Sequence, residues 1–513
     1  MLEEPLGLYF LVSEIQRIVV FVFFLSGNKG YQSLIVAEIL LNKYGSLIMN
    51  RKVKVLVCKS SSCFVEPSCS EPNLDNSPSF SSIPWAAQVA IRRKHECDYA
   101  EIFDNSSDHY AEIFSQYTHF VLFGSVFWYE PLVSLQILLL KIAKAQGCRT
   151  LLIGNQQGFE QDMQLKSGAD VVVSVVDFDP IIAIDLLEEN GFFSGSDYQG
   201  PKQYSRKDIR SKKHFCDGIS FVESRKEIYR FDYWGAPYNF KRRLVSAGAG
   251  CPFGCTFCPS QNTIWSAKSA DQMVSEVAFW EGTAIDLLSA EFFLNRKWLE
   301  ETLSALASAY IPIWMRVGGR IISIHRNLDL IPLCKKAGIE MIYVGLESAS
   351  DRVMKTSNKN DNQIWRVEEI LQVAGQYDVG INLNLIVGLP EDDEESLNET
   401  YEFIKKYPYA STVGFFRPIP GTSIIQEMKD SKLPLEGNTN LDDYLQHYGK
   451  RWTDDVEGVH SPTKYLSKDR VVYWKQKFDK LLTNERSIPR YLLSAQEVST
   501  RINRRRKRKD YRS

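Results

Sequence analysis

The chain is poor in cysteine, with 10 in 513 residues, which excludes a disulfide-dense secreted scaffold. It also lacks an excess of charge of either sign. Its 61 basic side chains against 63 acidic ones leave a formal charge of -2, so bulk charge alone does not bind it to nucleic acid. Long apolar runs are missing too. Residues 18–25 (IVVFVFFL) are apolar, but Glu14, Gln16 and Arg17 interrupt any longer stretch, and a membrane-spanning helix needs ~20 such residues. A signal peptide needs a basic region first, whereas this chain opens with Glu3 and Glu4. These gaps lead to the expectation of a soluble, cytoplasmic protein with no membrane partner. Residues 1–48 read as a peripheral extension or as sequence upstream of a true start at Met49.

At 44% hydrophobic and 24% charged residues, the composition is that of an ordinary globular protein. At ~150 residues per domain, the length suggests about three domains. Val53–Cys58 (VKVLVC) is a buried-strand pattern of the kind that opens an α/β domain. After a Ser- and Pro-rich loop at 59–86, strands expected at His119–Phe123, Thr150–Ile153 and Val171–Val173 alternate with helices. One helix, 131–146, closes at Gly147. Another has Asp179 as N-cap, Pro180 in its first turn and Gly191 past its end. Continuous apolar strands between helices predict a doubly wound, Rossmann-like domain over 49–195. A linker is expected at 196–240.

From Leu244 the alternation resumes, with strands expected near 244–247, 284–288, 312–316, 340–344, 381–387 and 412–416. Six such β/α units predict a partial (β/α)6 barrel over 241–430, with its chemistry at the carboxyl ends of the strands. Residues 431–513 read as a helical C-terminal region ending in Arg504–Lys509 (RRRKRK), a solvated basic tail. His447 and Tyr448 read as part of a helix surface.

The strongest chemical signal is Cys251-Pro-Phe-Gly-Cys255-Thr-Phe-Cys258, which follows a strand and the glycines Gly248 and Gly250. Three thiolates on one loop suit a [4Fe–4S] cluster, which ordinarily takes four cysteines. The nearest others, Cys216 and Cys334, are far away in sequence, leaving one iron open. A structural zinc site asks instead for four protein ligands.

This C-x3-C-x2-C segment, with Phe257 before its third cysteine, resembles the signature of radical S-adenosylmethionine (SAM) enzymes. The resemblance implies that SAM chelates the open iron through its methionine amino and carboxylate groups. Reductive cleavage then releases a 5′-deoxyadenosyl radical. The resemblance extends over most of 241–430 and assigns further cofactor contacts. Ser289-Ala290-Glu291 stands where the family commonly has Gly-Gly-Glu, and gives Glu291 to the SAM amino group. Arg316 or Arg320 pairs with the SAM carboxylate, with Arg320 preferred. Gly345-Leu346-Glu347-Ser348 is similar to the family's Gly-x-Glu-Ser segment and brings Glu347 and Ser348 to the ribose and methionine. Ile386 and Gly388 lie in a segment that resembles the adenine-side pattern, with Asn384 in place of its first glycine. Pro418-Ile419-Pro420-Gly421-Thr422 resembles a loop of one subgroup.

That subgroup carries an N-terminal cobalamin-binding domain, which residues 49–195 resemble. Ser82-Ile83-Pro84-Trp85 with Asp104 resembles one of its segments, and Phe123-Gly124-Ser125 resembles the strand end that faces the corrin. Gly154-Asn155-Gln156-Gln157 stands where Gly-Gly-Pro-His is common, so the histidine is missing. Asp170–Asp177 lacks the usual Arg-Gly-Glu-Gly-Glu. The resemblance therefore implies Gly124, Ser125 and Gly154 as cobalamin contacts. It also implies a transferase that methylates or rearranges an unactivated carbon. Its substrate is a small molecule or a peptide, and its electron donor is a protein such as flavodoxin or ferredoxin. The alternatives are a radical SAM enzyme whose degenerate domain does not bind cobalamin, and a non-catalytic iron–sulfur or RNA-binding protein.

Overall fold

This computed structural model describes residues 52–60, 87–208 and 242–484, apart from 89, 103–106, 126–129, 176–179, 195–197, 206–207, 283, 361–362, 408–409, 435–439 and 449–462. Residues 1–48 with Met49, Ser82–Trp85, Asp104, Cys216, most of the expected linker and Arg504–Lys509 lie outside the described residues. So do the side chains of His447 and Tyr448.

The first sheet contains β1 (Lys54–Ser60), β2 (Glu96–Ile102), β3 (His119–Ser125), β4 (Arg149–Asn155), β5 (Val171–Ser174) and β6 (Gln203–Tyr204). All its pairings are parallel, in the order β2-β1-β3-β4-β5-β6. The central strands are buried on both faces because helices cover both sides: Phe120, Val121, Leu122, Leu151, Leu152 and Ile153 have no exposed surface. The chain leaves β1 in one direction and returns to β3 on its other side, so the order reverses between those two strands. Ligands of open α/β sheets bind at the carboxyl ends beside such a reversal. The helices Glu130–Ala145 and Pro180–Glu189 match the sequence reading, and Gly147 and Gly191 end them at φ 80 and 78. Two strands were not expected. β2 is an edge strand, and β6 extends the sheet beyond 195 because buried Tyr204 packs on it and bonds Tyr198 at 2.7 Å.

The second sheet contains β7 (Arg242–Ser246), β10 (Ala284–Leu288), β11 (Trp314–Arg320), β12 (Ile339–Glu347), β13 (Gly380–Val387) and β14 (Ala410–Phe415), parallel and ordered in sequence. This is the expected six-stranded partial barrel. Between β7 and β10, the short antiparallel pair β8 (Gly248–Ala249) and β9 (Ser266–Ala267) forms a collar around the cysteine loop. Leu346, Leu383 and Leu397 are almost wholly buried in its wall, and truncating any of them to Ala costs about 2–5 kcal/mol.

The C-terminal helices tie the two sheets together. Helix Leu441–Tyr448 docks on the first domain: the Leu441 N–H donates to Asp162 at 2.8 Å, Lys166 pairs with Asp442, and buried Tyr444 packs against Phe159. Helix Lys468–Asn484 packs Trp474 and Phe478 against Tyr401 of the barrel, and Arg470 grips Glu394 through two bonds of 2.7 Å. No described helix is long and apolar enough to cross a membrane.

Candidate active site

The cysteine loop leaves β8 through Gly250, which is held at φ 74. A side chain there would collide with the carbonyl of Ile264. Thr263 fastens the first cysteine: its hydroxyl accepts the Cys251 N–H at 2.8 Å, and its N–H donates to the Cys251 carbonyl at 2.8 Å. Asn358 donates to the Gly254 carbonyl, while the Thr256 N–H reaches the Ser357 carbonyl and its carbonyl accepts from Ile424. Three separate parts of the barrel thus hold one loop. Its three cysteines form no disulfide and are only partly buried.

Among the described residues no three Cys, His, Asp or Glu side chains converge on a single-ion site. Cys334 is buried in helix Ile331–Ala337, where burial pushes its thiol up to about 12. The Arg320 guanidinium donates to the Cys255 sulfur at 3.0 Å and lies 4.3 Å over the Phe253 ring. Burial pushes Cys251 up to about 11, against which the nearby Arg320 charge works. The Cys251 thiol is therefore protonated in the free chain and would lose its proton on binding a metal centre, as metal-ligating thiols do.

The strand ends place several of the expected residues around this loop. Glu291 is fully enclosed, and its carboxylate accepts the Arg320 N–H at 2.9 Å and the Phe293 N–H at 3.3 Å. It therefore clamps the end of β10 to the end of β11, and burial pushes it up to about 8. The two arginines separate in role. Arg316 is committed inside the barrel to Asp286 and Tyr343, whereas Arg320 faces the cysteines.

Glu347 closes β12 in the left-handed region at φ 61, a conformation that costs a non-glycine residue of order 1–3 kcal/mol and clusters at functional sites. Its carboxylate pairs at 3.0 Å with Lys359, whose ammonium also donates to the Gly345 carbonyl at 2.5 Å. Lys359 is buried and its charge reaches Glu291. The sequence reading missed it: a single lysine in Ser357-Asn358-Lys359-Asn360 has no periodic signal.

Phe257 and Ile386 pack into one apolar cluster with Val353, Leu389 and Phe416. Gly388, at φ 92, gives its N–H to the buried Asp392 carboxylate, as does Leu389. Ser348 follows Glu347 out of β12. It is buried against helix Glu394–Lys406, with its hydroxyl 3.2 Å from that of Thr400.

In the first domain, Gly124, Ser125 and Gly154 meet at the paired ends of β3 and β4. The Gly124 carbonyl occupies the space where a Gly154 side chain would stand, and Gln136 occupies that of a Gly124 side chain. The barrel touches the same corner, because Pro420 abuts Gly158 and Gly421 abuts Gln157.

Comparison with known proteins agrees with this geometry. The profile of the radical SAM superfamily matches residues 245–404. The chain is 25% identical over 209 residues to an anaerobic magnesium-protoporphyrin IX monomethyl ester cyclase of Cereibacter sphaeroides, covering 39% of this chain and 34% of that one. It is 23% identical over 197 residues to a bacteriochlorophyllide d C-12(1)-methyltransferase of Chlorobaculum tepidum, covering 36% and 42%. The chain thus spans less than half the length of these relatives.

Two solved structures share the fold across both domains. The radical SAM methyltransferase TsrM of Kitasatospora setae, solved with tryptophan and a SAM analogue, has a TM-score of 0.58 at 12% identity. The match covers 86% of this chain and 90% of that one. The cobalamin-dependent SAM radical enzyme OxsB, solved with aqua-cobalamin and SAM, has a TM-score of 0.52 at 13% identity, covering 83% and 62%. With its cysteine loop at the mouth of a six-stranded partial barrel and the profile match across most of that barrel, the chain carries a radical SAM domain over residues 245–404.

Proposed function

We propose that this chain is a radical SAM enzyme that works with a corrinoid to transfer a methyl group to, or rearrange, an unactivated carbon. The observation that carries the proposal is the placement of Cys251, Cys255 and Cys258 on one loop at the carboxyl ends of the barrel strands, with the Arg320 guanidinium donating to the Cys255 sulfur. Cys251, Cys255 and Cys258 would hold a [4Fe–4S] cluster. When bound, cluster, SAM and corrinoid supply a reductively generated 5′-deoxyadenosyl radical and a methyl carrier.

The protein's own residues do the positioning. Arg320 offers its guanidinium to the SAM carboxylate as a fork, while buried Lys359 holds the Glu347 carboxylate and the Gly345 carbonyl at the end of β12. Glu291 keeps Arg320 in place through its backbone. Phe257 and Ile386 offer an apolar wall that excludes water from a reactive radical. The first domain brings the ends of β3 and β4 up to the barrel, where Pro420 abuts Gly158 and Gly421 abuts Gln157. The resemblance to methyltransferases and a cyclase supports carbon-centred chemistry. An electron-carrier protein such as flavodoxin or ferredoxin would complete the system.

The test is anaerobic reconstitution with iron, sulfide and hydroxocobalamin, followed by SAM and dithionite. The expected products are 5′-deoxyadenosine and, for methyl transfer, S-adenosylhomocysteine. 5′-Deoxyadenosine no higher than in a Cys251→Ala, Cys255→Ala, Cys258→Ala control would overturn the proposal.

A further inference from the structure

A surface cavity of about 330 Å³ opens beside the cysteine loop, lined by Phe253, Ile322, Arg326, Asn360, Gln363 and Arg366. Ile322 belongs to helix Ile321–His325, which Arg326 closes, and Gln363 and Arg366 stand at the start of helix Ile364–Gln376. These two helices pack on each other and on β11 and β13. The cavity therefore lies between the outer helices and the cysteine loop, away from Arg316 and Asp286 inside the barrel. Its position is fixed by the segment that also braces the loop. Asn358 donates to the Gly254 carbonyl at 2.9 Å and the Ser357 carbonyl accepts the Thr256 N–H at 3.1 Å, two and three residues before Asn360.

The lining is basic and carries no acid. Three flanking acids are engaged by other groups: Asp329 by Arg296 at 2.6 and 2.9 Å, Glu368 by the Tyr407 hydroxyl at 2.8 Å and Glu369 by His325 at 2.6 Å. The positive end of helix Ile364–Gln376 adds to the same sign. At the rim Trp365 is 49% exposed, and the Arg366 guanidinium lies 5.0 Å over its ring. Exposed Trp and Arg are the side chains that dominate binding at protein interfaces. The cavity also leads directly to the thiols. The Phe253 ring forms its wall, Arg320 lies 4.3 Å over that ring, and Arg320 donates to the Cys255 sulfur at 3.0 Å.

We propose that this face docks an acidic electron-carrier protein of the flavodoxin class, with Arg326 and Arg366 pairing with its carboxylates, Trp365 packing against it and its redox group facing Phe253. The inference rests on the iron–sulfur reading above and adds the place where the electron enters. The reduced carrier gives up one electron and is oxidised by one, and [4Fe–4S]2+ becomes [4Fe–4S]+; no bond forms or breaks and no proton moves. A single basic cavity with one aromatic anchor suits the small, transient contacts of electron-transfer partners. Complementary charge there raises the rate of encounter more than it raises affinity.

The test measures binding of a dye-labelled acidic flavodoxin to the reconstituted full chain by fluorescence anisotropy. Alongside it, 5′-deoxyadenosine formation is driven either by that flavodoxin with its reductase or by dithionite. The double variant Arg326→Glu, Arg366→Glu should bind flavodoxin at least about 10-fold more weakly, through like-charge contact. It should slow the flavodoxin-driven reaction correspondingly and leave the dithionite-driven rate unchanged. Wild-type binding should weaken as ionic strength rises through about 0.15 M, where exposed charges are screened beyond about 8 Å; this readout needs no variant. Wild-type affinity in the double variant overturns the inference, as does absent or salt-independent binding by the wild-type chain. Equal losses with both reductants would place the two arginines at the substrate instead and also overturn it. Flavodoxin binding that the variant abolishes, with no 5′-deoxyadenosine from the wild-type chain under either reductant, would uphold the docking face and refute the proposed reaction.

Discussion

Replacing Lys359 with Met removes a buried cation from beneath the end of β12. The side chains of Lys359 and Glu347 are only 4% and 13% exposed, so the variant leaves a carboxylate desolvated without its partner and the Gly345 carbonyl without its donor. Breaking a buried pair from one side costs about 3–5 kcal/mol. In a barrel domain of this size each kcal/mol lowers the Tm by about 2–4 °C, so the expected loss is roughly 6–20 °C. Glu347→Gln alone removes the charge but keeps an acceptor, and should cost less. The double variant should cost about 1–3 kcal/mol less than the two single losses added together. Thermal unfolding of the four proteins, followed by circular dichroism under anaerobic conditions, measures this coupling. Additivity within about 0.5 kcal/mol would refute the buried pair and with it the electrostatic account of the β12 end.

Three further predictions follow from neighbouring groups. Burial holds Asp392 up at about 7 from an ordinary 3.8, so the folded chain keeps this proton longer than the unfolded one. Its contribution to stability is full below pH 3.8 and is lost as pH rises to about 7; wild type should therefore lose ground to Asp392→Asn across that window, and parallel stability–pH curves would contradict this. Arg320→Met should weaken SAM binding about 10–100-fold in equilibrium dialysis, the value of a charged hydrogen bond, whereas Arg316→Met should lower Tm because it strands Asp286; the reverse pattern would exchange their roles. Cobalt(II) corrinoid bound to 15N-labelled protein should show no nitrogen superhyperfine splitting from the chain, because the loop Gly154–Gly158 offers amides and no imidazole, and a protein nitrogen on cobalt would refute this.

Much of the first sheet was legible in the sequence because its central strands are continuous apolar runs, and two of the helices between them have clear end signals; the barrel was legible from the same alternation of strands and helices resuming at Leu244. The cysteine loop was legible for another reason: three thiols at fixed spacing have few other uses. β2 was missed because Glu96-Cys97-Asp98-Tyr99-Ala100-Glu101-Ile102 is no apolar run. It sits at a sheet edge, where Cys97 and Tyr99 turn inward and Asp98 between them stays half-exposed. β6 is two residues long, too short to show any period. At the site, sequence named Glu347 but not Lys359, since only the return of the chain after helix Asp351–Thr356 brings that lysine under Gly345. Ser348 adjoins Glu347 in sequence, but its side chain turns to Thr400.

The central claim is that Cys251, Cys255 and Cys258 hold a cluster with a site open to SAM. Electron paramagnetic resonance of the anaerobically reconstituted, dithionite-reduced protein, recorded with and without SAM, tests it most directly. The account predicts a [4Fe–4S]+ signal whose g-values shift when SAM is added, and no such signal in the variant with all three cysteines replaced by Ala. An unshifted signal with SAM at saturation, or a normal cluster signal in the triple variant, would contradict it.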